Sequence, residues 1–279
     1  MFGTFIEKLR SGTYITLETT PSRSAAFAPT IDKIEALGLH TLVDGFSTTD
    51  NPLAKLKYNA LFAAVALQNR FGLPVLATMS MRDRNRIALQ SDLLGANEAD
   101  VRAILALTGD SAHYSDQPHA KGVFEGNSKL LLDIISTFNR GVDLADQKLI
   151  VPPRPIYPFA VIDSYAKNSV ALEKKMAKKV SHGAIGIISQ PVYDLDNARK
   201  LLEMMERANA EHNAECTLIL GFFPITKLRT ARFLDENVPG IHVPDRWVEA
   251  LEAASGIGPE EEYRVGFELS KNLFEELKA

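Results

Sequence analysis

The sequence predicts an α/β fold of the (β/α)8 TIM-type barrel class, and three observations predict it. Short β-rich runs alternate with amphipathic helical stretches almost from end to end, the order that builds a parallel sheet covered by helices. Glycines recur where the helical stretches stop. The length of 279 residues suits a barrel of about 250 residues folded as one domain.

Seven strand candidates stand out, at 13–18, 40–46, 74–80, 101–107, 155–162, 184–189 and 216–222. Between them, stretches such as 53–70 and 197–211 place apolar residues three and four apart with charges on the opposite side, which predicts covering helices. Gly38, Gly72, Gly141 and Gly183 follow helical stretches, where a left-handed C-cap favours glycine. No linker interrupts the pattern, so residues 1–279 are expected to form a single barrel domain. The eighth unit breaks the rule. Ile241-His242-Val243 is very short, and 259–279 reads as a helix with no β-run after it. An eighth strand is therefore expected to be missing or irregular. The edge this leaves would be covered by that short segment, by the N-terminus or by a second copy of the chain; a homo-oligomer and a partner redox protein are the macromolecular partners left open.

Lys and Arg total 31 against 35 Asp and Glu, a net charge of −4. That balance gives no general attraction for nucleic acid or an acidic membrane, so any anion site must be local. The single cysteine, Cys216, excludes an intramolecular disulfide and sits in the apolar run 216–220, which predicts a buried strand residue. The first ten residues carry Glu7, Lys8 and Arg10, unlike a secretory leader, and no stretch approaches about 18 uncharged apolar residues. A cytoplasmic protein is the expectation.

In such a barrel the chemistry sits just past the C-terminal ends of the strands. That rule selects Glu18, Thr49-Asp50-Asn51, residues 80–85, Thr108-Gly109-Asp110, Gln190 and residues 223–227. Glu18 ends an apolar run, where desolvation raises a carboxyl pKa toward the range useful to a general acid. A strand-end Glu also caps loops or pairs with Lys, and spacing alone does not separate the two; Asp110 could equally cap the next segment. The charges of Met81-Arg82-Asp83-Arg84-Asn85-Arg86 read as ion pairs and caps at the rim. His113 and His119 lack a metal-ligand spacing, so no metal is expected. No GxGxxG follows a strand and no GxxxxGK[ST] occurs, which leaves the barrel itself to bind any redox cofactor.

Taken together, Leu17-Glu18-Thr19-Thr20-Pro21-Ser22-Arg23, Met81-Arg82-Asp83-Arg84-Asn85, Leu105-Ala106-Leu107-Thr108-Gly109-Asp110, Ile188-Ser189-Gln190 and Gly221-Phe222-Phe223-Pro224-Ile225 resemble the methylenetetrahydrofolate reductase family. The resemblance runs from about residue 13 to 267. It implies a flavin-bearing (β/α)8 barrel that reduces 5,10-methylenetetrahydrofolate to 5-methyltetrahydrofolate, passing hydride through FAD with NAD(P)H as electron donor. On it, Glu18 matches the general acid, Asp110 the aspartate at the flavin N1 and C2 carbonyl edge, Gln190 the amide that contacts folate, and Lys179 a basic residue at the FAD phosphates. Thr49, Gly109 and Phe124 match other cofactor contacts. The chain departs from the pattern where Thr78 replaces a flavin-contacting histidine, Thr108 an arginine, and Leu228 a phenylalanine stacked on substrate. Two alternatives stand beside this one: a flavin-independent methylene-pterin reductase taking hydride from NAD(P)H, and a non-catalytic pterin-binding subunit.

Overall fold

A computed structural model describes residues 1–278. Seven strands, parallel wherever they pair, alternate with helices, the α/β order of a (β/α)8 TIM-type barrel with seven strands among the described residues. The chain forms two compact units, Met1–Ala160 with His182–Ala184, and Val161–Ser181 with Ile185–Ala279.

The first unit opens with helix α1 (Phe2–Ser11). Strands β1 (Thr16–Thr19), β2 (Gly45–Thr48), β3 (Val75–Ser80) and β4 (Ala103–Leu107) follow, paired in that order. β4 also pairs with β5 (Tyr157–Ile162), whose residues up to Ala160 belong to this unit. Helices α2 (Ala28–Ala36), α3 (Ala60–Phe71), α4 (Arg86–Glu98) and α5 (Ser128–Asn139) connect them. The apolar stripe of α1 packs where strands begin. Phe2 stacks on Tyr157, the first residue of β5, at 5.5 Å, and Phe5 meets Phe159 at 5.8 Å. Each of these buried phenylalanines contributes about 1.5–3 kcal/mol. The helix thus fills the N-terminal end of the strands and leaves their C-terminal end to the loops.

Most strand ends shift by a few residues from expectation, and two boundaries differ more. The stretch 40–46 is not all strand: His40 lies in a 3-10 turn and stacks on Phe71 at 4.9 Å, while the Asp44 carboxylate accepts from Ile15 N–H at 2.8 Å. The helix expected from residue 53 starts at Ala60, because Asn59 caps it by accepting from Leu61 and Phe62 N–H. Before it, Asn51, Leu53 and Ala54 take left-handed φ values of 46°, 54° and 55°, which no helix admits. The helix-ending glycines behave as expected: Gly38, Gly72, Gly141 and Gly183 all have φ between 64° and 85°.

The second unit holds β6 (Gly186–Pro191) paired with β7 (Thr217–Gly221), and helices α6 (Ser169–Ser181), α7 (Leu195–His212), α8 (Leu228–Asn237), α9 (Asp245–Ser255) and α10 (Pro259–Lys278). Every residue of β7 is half-exposed, and among the described residues of this unit it pairs with β6 alone. Ile241-His242-Val243 forms no strand. Ile241 and Val243 instead turn into a cluster with Trp247, Leu251, Ile225 and Leu273. α10 packs close because Gly266 has no side chain: a Cβ there would lie 2.6 Å from the Ile225 carbonyl oxygen. Buried Ser270 accepts from Ile225 N–H at 2.9 Å beside it. No described helix is long and apolar enough to cross a membrane.

Candidate functional site

The parallel register decides which predicted residues share a face. Glu18 lies opposite Ser47, Ser47 opposite Leu76, and Thr78 opposite Leu105. Alternate strand residues point the same way, so Thr16, Glu18, Ser47, Thr49, Thr78 and Ser80 line one face. The other face meets helices: Phe46 packs on Phe71 of α3 at 5.3 Å, and the Thr48 hydroxyl donates to Ala60 C=O at 3.1 Å. The result is a carboxylate among hydroxyls on the sheet's inner side, with Glu18 and Thr49 at the strands' C-terminal ends. Glu18 is an exposed residue, yet neighbouring protein atoms desolvate its charged form and push its pKa above the ordinary carboxylate value. Thr49 Oγ1 is buried and has no hydrogen-bond partner among the described residues.

The loop after β2 is held in its left-handed shape from several sides. Buried Asp50 accepts from Ser80 N–H at 2.9 Å and from Arg84 at 2.5 Å, and Arg84 also reaches Asp92 at 2.8 Å. Arg82, 3% exposed, grips both oxygens of Asp83 at 2.8 and 2.6 Å and donates to Asn51 C=O at 3.1 Å. Asn85 caps α4 by accepting from Ala88 N–H. The rim charges are therefore ion pairs and caps, as their pattern suggests. Leu53 N–H then donates to Asp110 Oδ2 at 2.6 Å, which fixes one oxygen of an exposed carboxylate. Gly109 carries φ 90°, and a Cβ there would fall 2.2 Å from Ser80 Oγ. Its neighbour Thr108 turns to the other face, where its hydroxyl accepts from Ser128 N–H at the start of α5, at 3.2 Å. Thr78 is buried on the inner face, and Phe124, with φ 43°, stands 40% exposed in the loop after β4. The structure thus gathers Glu18, Thr49 and Thr78 on one face and ties Gly109 and Asp110 to the β2 and β3 ends.

The remaining predicted residues belong to the second unit. Gln190 lies half-buried at an irregular step of β6, beside Ser189, whose hydroxyl accepts from Gly221 N–H at 2.9 Å. Lys179 is half-buried on α6; burial lowers its pKa, the Asp163 carboxylate opposes that, and Lys175 adds to it. Leu228 opens α8, its N–H donating to Glu262 at 2.8 Å. Cys216 is buried, and burial pushes its thiol up to about 12, so it is inert at neutral pH. Arg23 enters the sequence reading only as the end of the 17–23 segment, and Lys57 is not singled out. Lys57 was concealed inside the stretch read as helix, although Pro52 and Asn59 were signals of a loop with a cap after it.

The whole-chain comparisons agree with this geometry. The family model described as methylenetetrahydrofolate reductase matches residues 6–279. No curated protein matches the chain. Among solved structures, one with TM-score 0.63 and 15% identity is an uncharacterized protein from Clostridium thermocellum that binds two copies of 5-methyl-5,6,7,8-tetrahydrofolic acid; the match covers 99% of this chain and 86% of that one. DmoA from Hyphomicrobium sulfonivorans follows at TM-score 0.50 and 9% identity, over 91% and 77% of the two chains. At such identities the likeness is one of fold. The match over nearly the full length places the chain in the methylenetetrahydrofolate reductase family.

Proposed function

We propose that the protein reduces 5,10-methylenetetrahydrofolate to 5-methyltetrahydrofolate, with FAD as the bound hydride carrier. The observation that carries the proposal is Glu18, a carboxyl with a raised pKa on a hydroxyl-lined inner face at the strands' C-terminal end. Family membership supports the reaction class, and the folate held by the similar Clostridium thermocellum structure supports the substrate class. The raised pKa keeps a larger share of Glu18 protonated near neutrality. In that form it donates its proton to a bridging nitrogen of the substrate, the carbon–nitrogen bond breaks, and the one-carbon unit becomes an iminium on the other nitrogen. Hydride addition to that carbon yields the methyl group, and solvent returns a proton to Glu18. FAD, when bound, supplies that hydride and is replenished by NAD(P)H.

A flavin ring presents carbonyl and N–H groups along one edge and apolar faces. Thr49 Oγ1, buried and unpartnered, and the Asp110 carboxylate are groups able to meet such an edge, and exposed Leu53 and Phe124 offer apolar surface. These residues fit the ring. Asp110 would hold the edge in orientation.

A second reading, direct hydride transfer from NAD(P)H without flavin, is favoured by Thr108, which lacks a cation and spends its hydroxyl on Ser128. One experiment separates them. Purified protein incubated with FAD, NADH and 5,10-methylenetetrahydrofolate should retain flavin through gel filtration and form methyl product. Colourless protein that forms product supports the second reading; no product under either condition overturns both.

A further inference from the structure

We infer that the cavity between the segment leaving β1 and the loop before α3 is the seat of the substrate's arylglutamate tail. The cavity measures about 340 Å³ and is lined by Arg23, Ser24, Ala25, Leu56 and Lys57. Its walls are preformed. Tyr58 N–H donates to Ser22 C=O at 2.9 Å, Tyr58 stacks on buried Phe27 at 5.7 Å, and the Ser24 hydroxyl accepts from Ala26 N–H at 3.1 Å. Two cations face a ligand here. Arg23 donates through Nη1 to Asp116 at 3.2 Å and leaves the rest of its fork open, its side chain 61% exposed. Lys57 is half-buried and forms no ion pair among the described residues. The one nearby carboxylate, Asp116, is already engaged by Gln117, Leu56 N–H and Arg23, and these bonds hold its pKa low. Arg23 and Lys57 thus outnumber Asp116, and Leu56, 48% exposed, supplies an apolar wall.

That combination, a guanidinium fork and an ammonium beside apolar surface, matches an aromatic amide that ends in carboxylates. Arg23 lies five residues beyond Glu18, a chain span of at most about 18 Å, within the length of an extended pterin with its aryl and glutamyl groups. A pterin whose reacting nitrogen meets Glu18 therefore has this cavity within reach of its tail. A larger cavity on α6 is a poorer match, since its lysines Lys174 and Lys178 are balanced by Glu173 and Glu211. The inference rests on the folate reading given above.

The test is calorimetric titration of the full chain with 5-methyltetrahydrofolate, its triglutamate, and tail-less 5-methyltetrahydropterin. The triglutamate should bind the native protein more tightly than the monoglutamate. Arg23→Gln/Lys57→Gln should weaken both folates about tenfold or more and leave the tail-less pterin unchanged, and the difference should shrink at high salt. Arg23 is exposed and half-buried Lys57 has no ion pair to lose among the described residues, so folding is preserved; Arg23→Glu should weaken the triglutamate further. If the native protein binds 5-methyltetrahydrofolate and the double variant binds it equally well, the cavity has no part in recognition while the folate reading stands. An equal loss for tailed and tail-less ligands also overturns the inference. Failure of the native protein to bind any of the three overturns the folate reading, and the tail site with it.

Discussion

Replacing Gly109 by Ala should damage the site through backbone geometry alone. Gly109 has φ 90°, and placing an L-residue in left-handed backbone costs roughly 1–2 kcal/mol. The added methyl would also lie 2.2 Å from Ser80 Oγ and 3.0 Å from Arg82 Cβ, so Ser80 must move. Its Oγ accepts from Arg82 N–H at 3.1 Å, and losing that bond costs about 1 kcal/mol. The sum is about 2–3 kcal/mol, which at roughly 2 °C per kcal/mol for a chain of this size lowers Tm by about 4–6 °C. Differential scanning calorimetry reads this directly. The control is Gly95→Ala, within α4, where a Cβ meets nothing within 4 Å; it should raise stability by about 0.5–1 kcal/mol. A Gly109→Ala protein melting within one degree of the native one would refute the strained-turn reasoning, and with it the close approach of Gly109 to Ser80 at the β3 end.

Asp50→Ala leaves Arg84 buried without its main partner and should cost about 3–5 kcal/mol, measured by urea titration; a loss under 1 kcal/mol would show that Asp92 alone satisfies Arg84. Asp110→Asn removes a negative charge from the proposed flavin edge and should make bound flavin easier to reduce, as read by a dye-equilibrated titration. An unchanged potential together with unchanged folate affinity would remove Asp110 from the site. Deleting residues 259–279 strips the partner from Ile225 and exposes the cluster around Leu273, so the truncated chain should aggregate in light scattering; a soluble, equally heat-resistant product would make α10 dispensable. Because the folded pKa of Glu18 is raised, its contribution to stability is present at acid pH and lost as pH rises from the ordinary carboxyl value through the raised one. Glu18→Gln should flatten that part of the stability profile, and an unchanged slope would deny the desolvation.

Much of the fold was legible because its signals are local. The seven strands announce themselves by apolar β-rich runs, and Gly38, Gly72, Gly141 and Gly183 mark helix ends by a conformation that glycine adopts most readily. The errors fall where distant contacts decide. Leu53 and Leu56 keep helical spacing, yet Leu53 is drawn into left-handed backbone in a loop held by Asp110, Arg82 and Arg84, residues 29 or more positions away. His40 leaves the strand to stack on Phe71. The apolar pair Ile241 and Val243 reads as a strand fragment, but a core cluster takes both side chains. At the site, Glu18 and Asp110 follow from the rule that strand ends carry chemistry. That Glu18, Thr49 and Thr78 share a face, while Thr108 turns away to meet Ser128, depends on register and loop closure, which one sequence does not encode locally.

The central claim is that Glu18 delivers the proton that opens the methylene bridge. Single-turnover formation of 5-methyltetrahydrofolate, followed against pH in the native protein and in Glu18→Gln, tests it most directly. The native rate should fall as pH rises through the raised pKa of Glu18, and the variant should be slower by about 10²- to 10⁴-fold with that limb of the profile gone. Binding of 5-methyltetrahydrofolate should survive the substitution. A variant that reduces the substrate at near-native rate with the same pH profile would contradict the claim.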